Sequence, residues 1–304
     1  MLEIAVRTEN GERHVRPAAG ELAGLVRRIG VGEDRYLVVQ RIPDLPDVFA
    51  QVWHEEGGDY QLEYRDGAAD RHYQVRVDRE AVVAALAGWA AGEDGWGAGL
   101  EWGLLDMGPV EEVPPLDVSD ADRALLEERI REVIVGGYAD RDTLREVAED
   151  YLVTPDHRPV SRPQAQALAD RLWLERVAEQ SSWTGETDPE RLTRAFAALD
   201  AAGITARENF TCCRTCGDTE IGAEGPDDAR GFVYFHTQCT DSAAAGHGLN
   251  LLYGGFDGSP ATTTAVGHEV AAALRSVGLT VDWDGDPARV MTVTDLRWRR
   301  RLVG

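Results

Sequence analysis

Four cysteines and one histidine offer most of the site chemistry in this chain of 304 residues. Three of the cysteines sit together in Thr211-Cys212-Cys213-Arg214-Thr215-Cys216-Gly217. The fourth closes the run Tyr234-Phe235-His236-Thr237-Gln238-Cys239. Cys213-x-x-Cys216 followed by His236-x-x-Cys239 approaches the spacing of a four-ligand zinc site in which histidine replaces one cysteine. A Cys-x-x-Cys-Gly turn can point two thiolates the same way, with Gly217 tolerating a left-handed backbone. Four protein ligands would close the coordination sphere, so such a zinc would be structural. With Cys239 outside the set, three ligands and a water become a hydrolytic alternative, with Asp241, Glu220 or Glu224 as base. Cys212 is then left over, or replaces one of the others. Two further readings stay open: redox-active thiols, which need a depressed pKa, and small buried side chains packed in a loop.

Other motifs are incomplete. Gly267-His268-Glu269 opens like a metalloprotease helix, but Ala272 stands where the second histidine is needed. Gly254-Gly255-Phe256-Asp257-Gly258-Ser259 lacks the Lys-Ser/Thr of a phosphate loop. His14, His54 and His72 are not at ligand spacing with one another. Arg297-Trp298-Arg299-Arg300-Arg301 is a basic patch that binds an anion or folds onto the acidic body.

Composition narrows the function classes. The formal net charge is −23, and every cation other than histidine is arginine. A phosphate backbone would be repelled, so nucleic acid is not expected as a partner, whereas a basic protein would be attracted and steered. Absence of lysine together with abundant alanine and glycine is the composition of a GC-rich bacterial genome. Residues 1–16 alternate apolar with charged side chains, unlike a signal peptide. No apolar run is long enough for a membrane span. Few, bunched cysteines do not suggest a secreted disulfide framework. The expected compartment is the cytoplasm.

The elements that must position these residues form an α+β chain. In the N-terminal region, expected as a domain over 1–108, period-two runs over 2–7, 35–41, 48–54, 60–64 and 72–77 are separated by turn signals. One of these signals is Pro43-Asp44-Leu45-Pro46. Links this short demand an antiparallel sheet. Two helices go with it, one carrying Leu22, Leu25, Val26 and Ile29, the other capped by Asp78. Trp96 and Trp102 are expected to cover the open end of the sheet. The strand pattern of residues 30–102, with Ala50-Gln51-Val52-Trp53, Tyr60-Gln61-Leu62-Glu63-Tyr64 and a late Gly-Trp segment, resembles the Imm1-type immunity proteins of bacterial toxin systems. That resemblance implies binding to a toxin-like protein, which the acidic charge would favour as a basic one, and the face carrying Gln51, Trp53, Gln61, Glu63 and Tyr64 is the expected binding surface.

Residues 109–118 read as a Pro-rich linker. A C-terminal domain over 119–304 follows, helical over 119–203 and then a small α/β region over 204–304. Helix starts are signalled by Ser119, Asp140 or Asp142, Ser161 and Thr187. Strands are expected over 204–210, 231–236, 249–253, 279–283 and 288–294. Helices are expected from Thr240 and over 262–277. The Thr-Cys-Cys-Arg-Thr-Cys-Gly run, Tyr-Phe-His-Thr-Gln and Trp283-Asp284-Gly285 resemble a family of actinobacterial proteins to which no activity is assigned. The leading expectation is a non-enzymatic protein-binding protein with a zinc site at Cys213, Cys216, His236 and Cys239. The alternative is a metal- or thiol-dependent enzyme built on Cys212, Cys213, Cys216 and His236.

Overall fold

A computed structural model of the chain describes residues 1–32, 34–109 and 112–303. Val110 and Glu111 of the expected linker lie outside the described residues. The chain divides into two compact units. One comprises Met1–Val118, Asp140–Val177 and the residues from Leu302 on; the other comprises Ser119–Ala139 and Ala178–Arg301. Its class is α+β, as the patterning predicts.

The first unit is built on a seven-stranded sheet in the order β2-β1-β3-β4-β5-β6-β7. These strands are β1 (Ile4–Thr8), β2 (Arg13–Val15), β3 (Tyr36–Leu45), β4 (Val48–Trp53), β5 (Tyr60–Asp66), β6 (His72–Val77) and β7 (Gly103–Leu104). Every neighbouring pair is antiparallel, as the short connections require. Helices α1 (Ala19–Arg28) and α2 (Arg79–Ala91) complete the layer. Leu37, Val39, Ala50, Val52 and Leu62 share a core with Leu22 and Val26 of α1 and Val82 and Leu86 of α2. Asp78 caps α2 by accepting from the Ala81 N–H at 2.9 Å. Trp96 and Trp102 pack edge-on against Tyr64, with centroids 5.0 and 4.7 Å away.

One turn differs from expectation. β3 continues through Pro43 to Leu45, and the chain reverses at Pro46 and Asp47, where Asp47 has φ 58. The pairing shifts register between Gln40 and Leu45. Such an irregularity accommodates a proline, which cannot donate to the ladder.

Four helices follow: α3 (Asp120–Gly136), α4 (Arg141–Asp150), α5 (Arg162–Gln180) and α6 (Asp188–Ala201). Ser119 and Asp140 accept from the backbone N–H groups of Asp122 and Thr143, and Thr187 with Glu190 forms a capping box. The segment 119–203 divides between the units, because α4 and all of α5 but its last residues go with the first sheet. Trp173 is fully buried there, its indole N–H donating to the Asp44 carbonyl at 2.7 Å.

The second sheet has the order β11-β12-β10-β9-β8. It comprises β8 (Ile204–Arg207), β9 (Gly231–Tyr234), β10 (Leu249–Gly255), β11 (Thr280–Asp282) and β12 (Met291–Thr294). β8 and β9 are parallel and the other pairs antiparallel. Interleaved are α7 (Arg214–Glu220), α8 (Thr237–Ala244) and α9 (Pro260–Ser276). Phe235, Leu251, Val266, Val270, Met291 and Val293 are core residues with Leu192 and Phe196 of α6. The arginine run folds onto its own unit: Arg300 pairs with Glu208 at 2.8 Å and Arg301 with Glu190 at 2.5 Å. Among the described residues no helix is long and apolar enough to cross a membrane.

Candidate metal centre

Cys212, Cys213 and Cys216 lie beyond the carboxyl end of β8, one of the two parallel strands. Such ends are where open α/β sheets place their sites. The chain leaves β8 through Asn209 and Thr211, both left-handed with φ 48 and 59. That conformation is strained for a β-branched residue, so the surroundings must hold it. They do so through four bonds. Phe210 N–H donates to the Phe235 carbonyl at 2.8 Å. The Thr237 N–H and hydroxyl donate to the Thr211 carbonyl at 3.2 and 3.0 Å. The Thr240 hydroxyl donates to Asn209 Oδ1 at 2.7 Å.

Cys213 then occupies the N-cap position of α7, and Cys216 lies within it. Gly217 is helical, not left-handed, and its role is close packing. A Cβ there would fall 2.7 Å from Cζ and 2.8 Å from Oη of Tyr234. The fully buried Tyr234 donates its hydroxyl to Asp218 Oδ1 at 2.5 Å, which fastens α7 to β9.

This scaffold gathers three sulfurs. The Sγ atoms of Cys212, Cys213 and Cys216 all lie within 4.8 Å of one another. Among the described residues this is the only such group of metal-capable side chains. Cys212 is exposed and the other two are half-buried, and none of the cysteines is in a disulfide. Cys212 Sγ is 3.6 Å from Cys216 Sγ. A zinc–sulfur bond of about 2.3 Å sets the edge of a tetrahedral site at about 3.8 Å, close to the Cys212–Cys216 separation, so the three cysteines could hold a metal. In the metal-free cluster the protons are unequally held. Cys213 is held below the usual thiol range, first by the Cys216 backbone N–H and then by the thiols of Cys216 and Cys212. Cys216 is pushed up to about 11, first by Cys212 and then by Cys213. A metal held by thiolates would displace the protons that the thiols carry.

His236 and Cys239 do not join the three. α8 starts at Thr237 and not near Thr240, so His236 is its N-cap residue and Cys239 lies within its first turn. Both are buried, and Cys239 Sγ approaches His236 Nε2 to 3.4 Å. Burial lowers the His236 pKa and raises that of Cys239, which keeps both neutral. The compact set among the described residues is Cys212, Cys213 and Cys216; of the expected Cys213, Cys216, His236 and Cys239 it contains the first two. The signal for Cys212 was its adjacency to Cys213.

The N-terminal binding residues also separate. In the β4–β5 register Gln51 faces Glu63 and Trp53 faces Gln61, whereas Tyr64 pairs with Ala50 on the opposite face. There Tyr64 packs with Tyr73, Trp96 and Trp102. Glu63 is buried and accepts from Gln51 at 2.6 Å, Gln61 at 2.5 Å and His72 Nε2 at 3.1 Å. Arg65 lies 3.2 Å from His72 Nδ1. An arginine can only donate, so the hydrogen-bond network assigns the imidazole proton to Nε2. A concavity of about 530 Å³ lies over this face, lined by Tyr36, Val38, Trp53 and Arg76 among others.

No curated protein and no solved structure matches the chain. A family model described as Domain of unknown function (DUF6891) matches residues 119–302, a span that takes in the three clustered cysteines, His236 and Cys239. The chain belongs to that family.

Proposed function

We propose that this chain is a non-enzymatic interaction protein whose second unit holds one zinc ion on Cys212, Cys213 and Cys216. The observation that carries the reading is the three sulfurs within 4.8 Å of one another at the surface. Thiolates select soft or borderline metals, and zinc is the commonest that suits a tetrahedral sulfur set. Three protein ligands leave one position for a donor from outside. Of the acids around the cluster, Asp218 is engaged by Tyr234 and Arg214 and Glu224 by Arg207, which favours a binding role over hydrolysis. A partner's histidine, cysteine or carboxylate completes the sphere instead. Purified protein should carry one equivalent of zinc by elemental analysis, retained in Cys239→Ser and lost in Cys213→Ser. Metal-free protein, with unchanged stability in Cys213→Ser, would sink the metal reading.

A second surface supports the same class of function. Trp53 and the exposed Tyr36 border the concavity on the first sheet, where Gln51 and Glu63 are held in place. With a net charge of −23 the partner favoured by steering is a basic protein, such as the toxin that an Imm1-type protein would block. Pull-down with the full chain should recover a basic protein that Trp53→Ala releases. Equal recovery by the variant would remove this face from the interaction.

A further inference from the structure

We infer that the cysteine cluster is also a thiol–disulfide couple, in which Cys212 and Cys216 become the disulfide and the metal is set free. The inference deepens the zinc reading and rests on it for metal release; the pairing itself rests on geometry alone.

Cys212 and Cys216 approach to 3.6 Å, so about 1.5 Å of movement brings them to the bond length of a disulfide. Cys212 can supply that movement. It is exposed and precedes the helix, whereas Cys216 is inside α7, which Gly217 seats against Tyr234. Cys213 is the poorer partner for Cys212, since a bond between adjacent residues closes a strained ring that contains their own peptide unit. Cys239 is buried against His236 and outside the group of three.

The co-reactant is a low-molecular-weight disulfide. The Cys212 sulfur attacks one of its sulfurs; that bond forms, the disulfide bond breaks, and one thiolate leaves. Cys216 sulfur then attacks the Cys212 sulfur of the mixed disulfide. The Cys212–Cys216 bond forms and the second thiolate leaves. Two cysteine thiolates have lost two electrons, and the small disulfide has gained them as two thiolates. Of the three proposed zinc ligands only Cys213 would then remain a thiolate, which is too little to hold the ion.

Zinc-loaded protein incubated with oxidised glutathione tests this. Zinc release is followed with a chromogenic chelator, and the crosslink is mapped by mass spectrometry after tryptic digestion. Cleavage after Arg214 separates the two cysteines, so the crosslink joins two peptides. One equivalent of zinc should be released, and dithiothreitol should reverse the crosslink. The crosslink should persist in Cys213→Ser and Cys239→Ser and vanish in Cys212→Ser. Cys216→Ser should stop at glutathione attached to Cys212. A crosslink that needs Cys213 or Cys239, or oxidation without zinc release, overturns the inference. If the purified chain holds no zinc, the metal reading falls by itself. The crosslink then decides the couple: its formation with the stated variant pattern upholds it, and its absence overturns it.

Discussion

Gly217→Ala should destabilise the second unit by about 2 kcal/mol and abolish the zinc binding proposed for the three cysteines. On an open helix surface the same change would stabilise by up to about 1 kcal/mol, because alanine is the better helix former. Here the added methyl meets Tyr234 Cζ at 2.7 Å and Oη at 2.8 Å. Tyr234 has no accessible surface, and turning it aside breaks its bond to Asp218. The easier response is for α7 to lift. Cys213 and Cys216 would move with it, while Cys212 stays behind with Thr211, whose carbonyl is bound to Thr237. The sulfur triangle opens, and the ligand set fails for a geometric reason although every cysteine is present. Gly222→Ala is the matched control, since a Cβ there meets nothing within 4 Å. Urea unfolding and zinc content measured together decide the matter. A Gly217→Ala protein with full zinc and unchanged stability would show that α7 does not position the cluster.

The same residues explain what was legible in the sequence. Period-two runs and short turn signals identified the first sheet, since antiparallel neighbours with short links leave little freedom of topology. Asp78, Ser119, Asp140 and Thr187 announced their helices because a cap is a local hydrogen bond between near neighbours. The same logic failed at Thr240. Its hydroxyl donates to Asn209 on a preceding loop, and the helix begins at Thr237. That early start puts His236 at the N-cap and Cys239 in the first turn of one helix, outside the group of three sulfurs. Tyr64 was separable from Glu63 by alternation alone, since adjacent strand residues face opposite ways. Gly217 gave a misleading signal: glycine after a Cys-x-x-Cys suggested a left-handed turn, whereas it makes room for a tyrosine on the adjacent strand. Which helices belong with the first sheet was not legible. It depends on pairs such as Trp173 with Asp44 and Arg141 with Asp44, far apart in sequence and without periodic signature.

That last pair predicts the largest effect in the first unit. Arg141→Ala should cost about 3 kcal/mol at neutral pH, because it leaves carboxylates in a poorly solvated place without their cation. Arg141 donates from Nε to Asp44 Oδ2 at 2.6 Å and from Nη1 to Asp170 Oδ1 at 2.7 Å. Burial would lower the arginine pKa, but the two carboxylates outweigh it and the net shift is upward. Asp44 shifts upward too, which disfavours its charged form. Burial dominates at Asp44, which is 3% exposed and has no partner for Oδ1, and the attraction of Arg141 only partly offsets that cost. The two shifts agree once burial is weighed: Arg141 has two anions beside it, whereas at Asp44 burial outweighs the attraction of Arg141 and of Arg7. A carboxyl whose folded pKa is raised contributes stability below its unfolded pKa and loses it as pH rises through the folded value. Without Arg141 the Asp44 pKa rises further, so the deficit of Arg141→Ala should be greatest at neutral pH. It should shrink toward pH 4, as Asp44, whose pKa is raised by burial, takes up its proton in both proteins. Asp44→Asn removes the buried charge while Arg141 keeps Asp170, so that variant should cost less. Asp44→Asn combined with Arg141→Ala should be more stable than Arg141→Ala alone. Urea unfolding of the four proteins at both pH values measures the coupling directly. An equal deficit at the two pH values, or a double variant no better than Arg141→Ala, would mean that the arginine acts through packing alone and that Asp44 carries no buried charge.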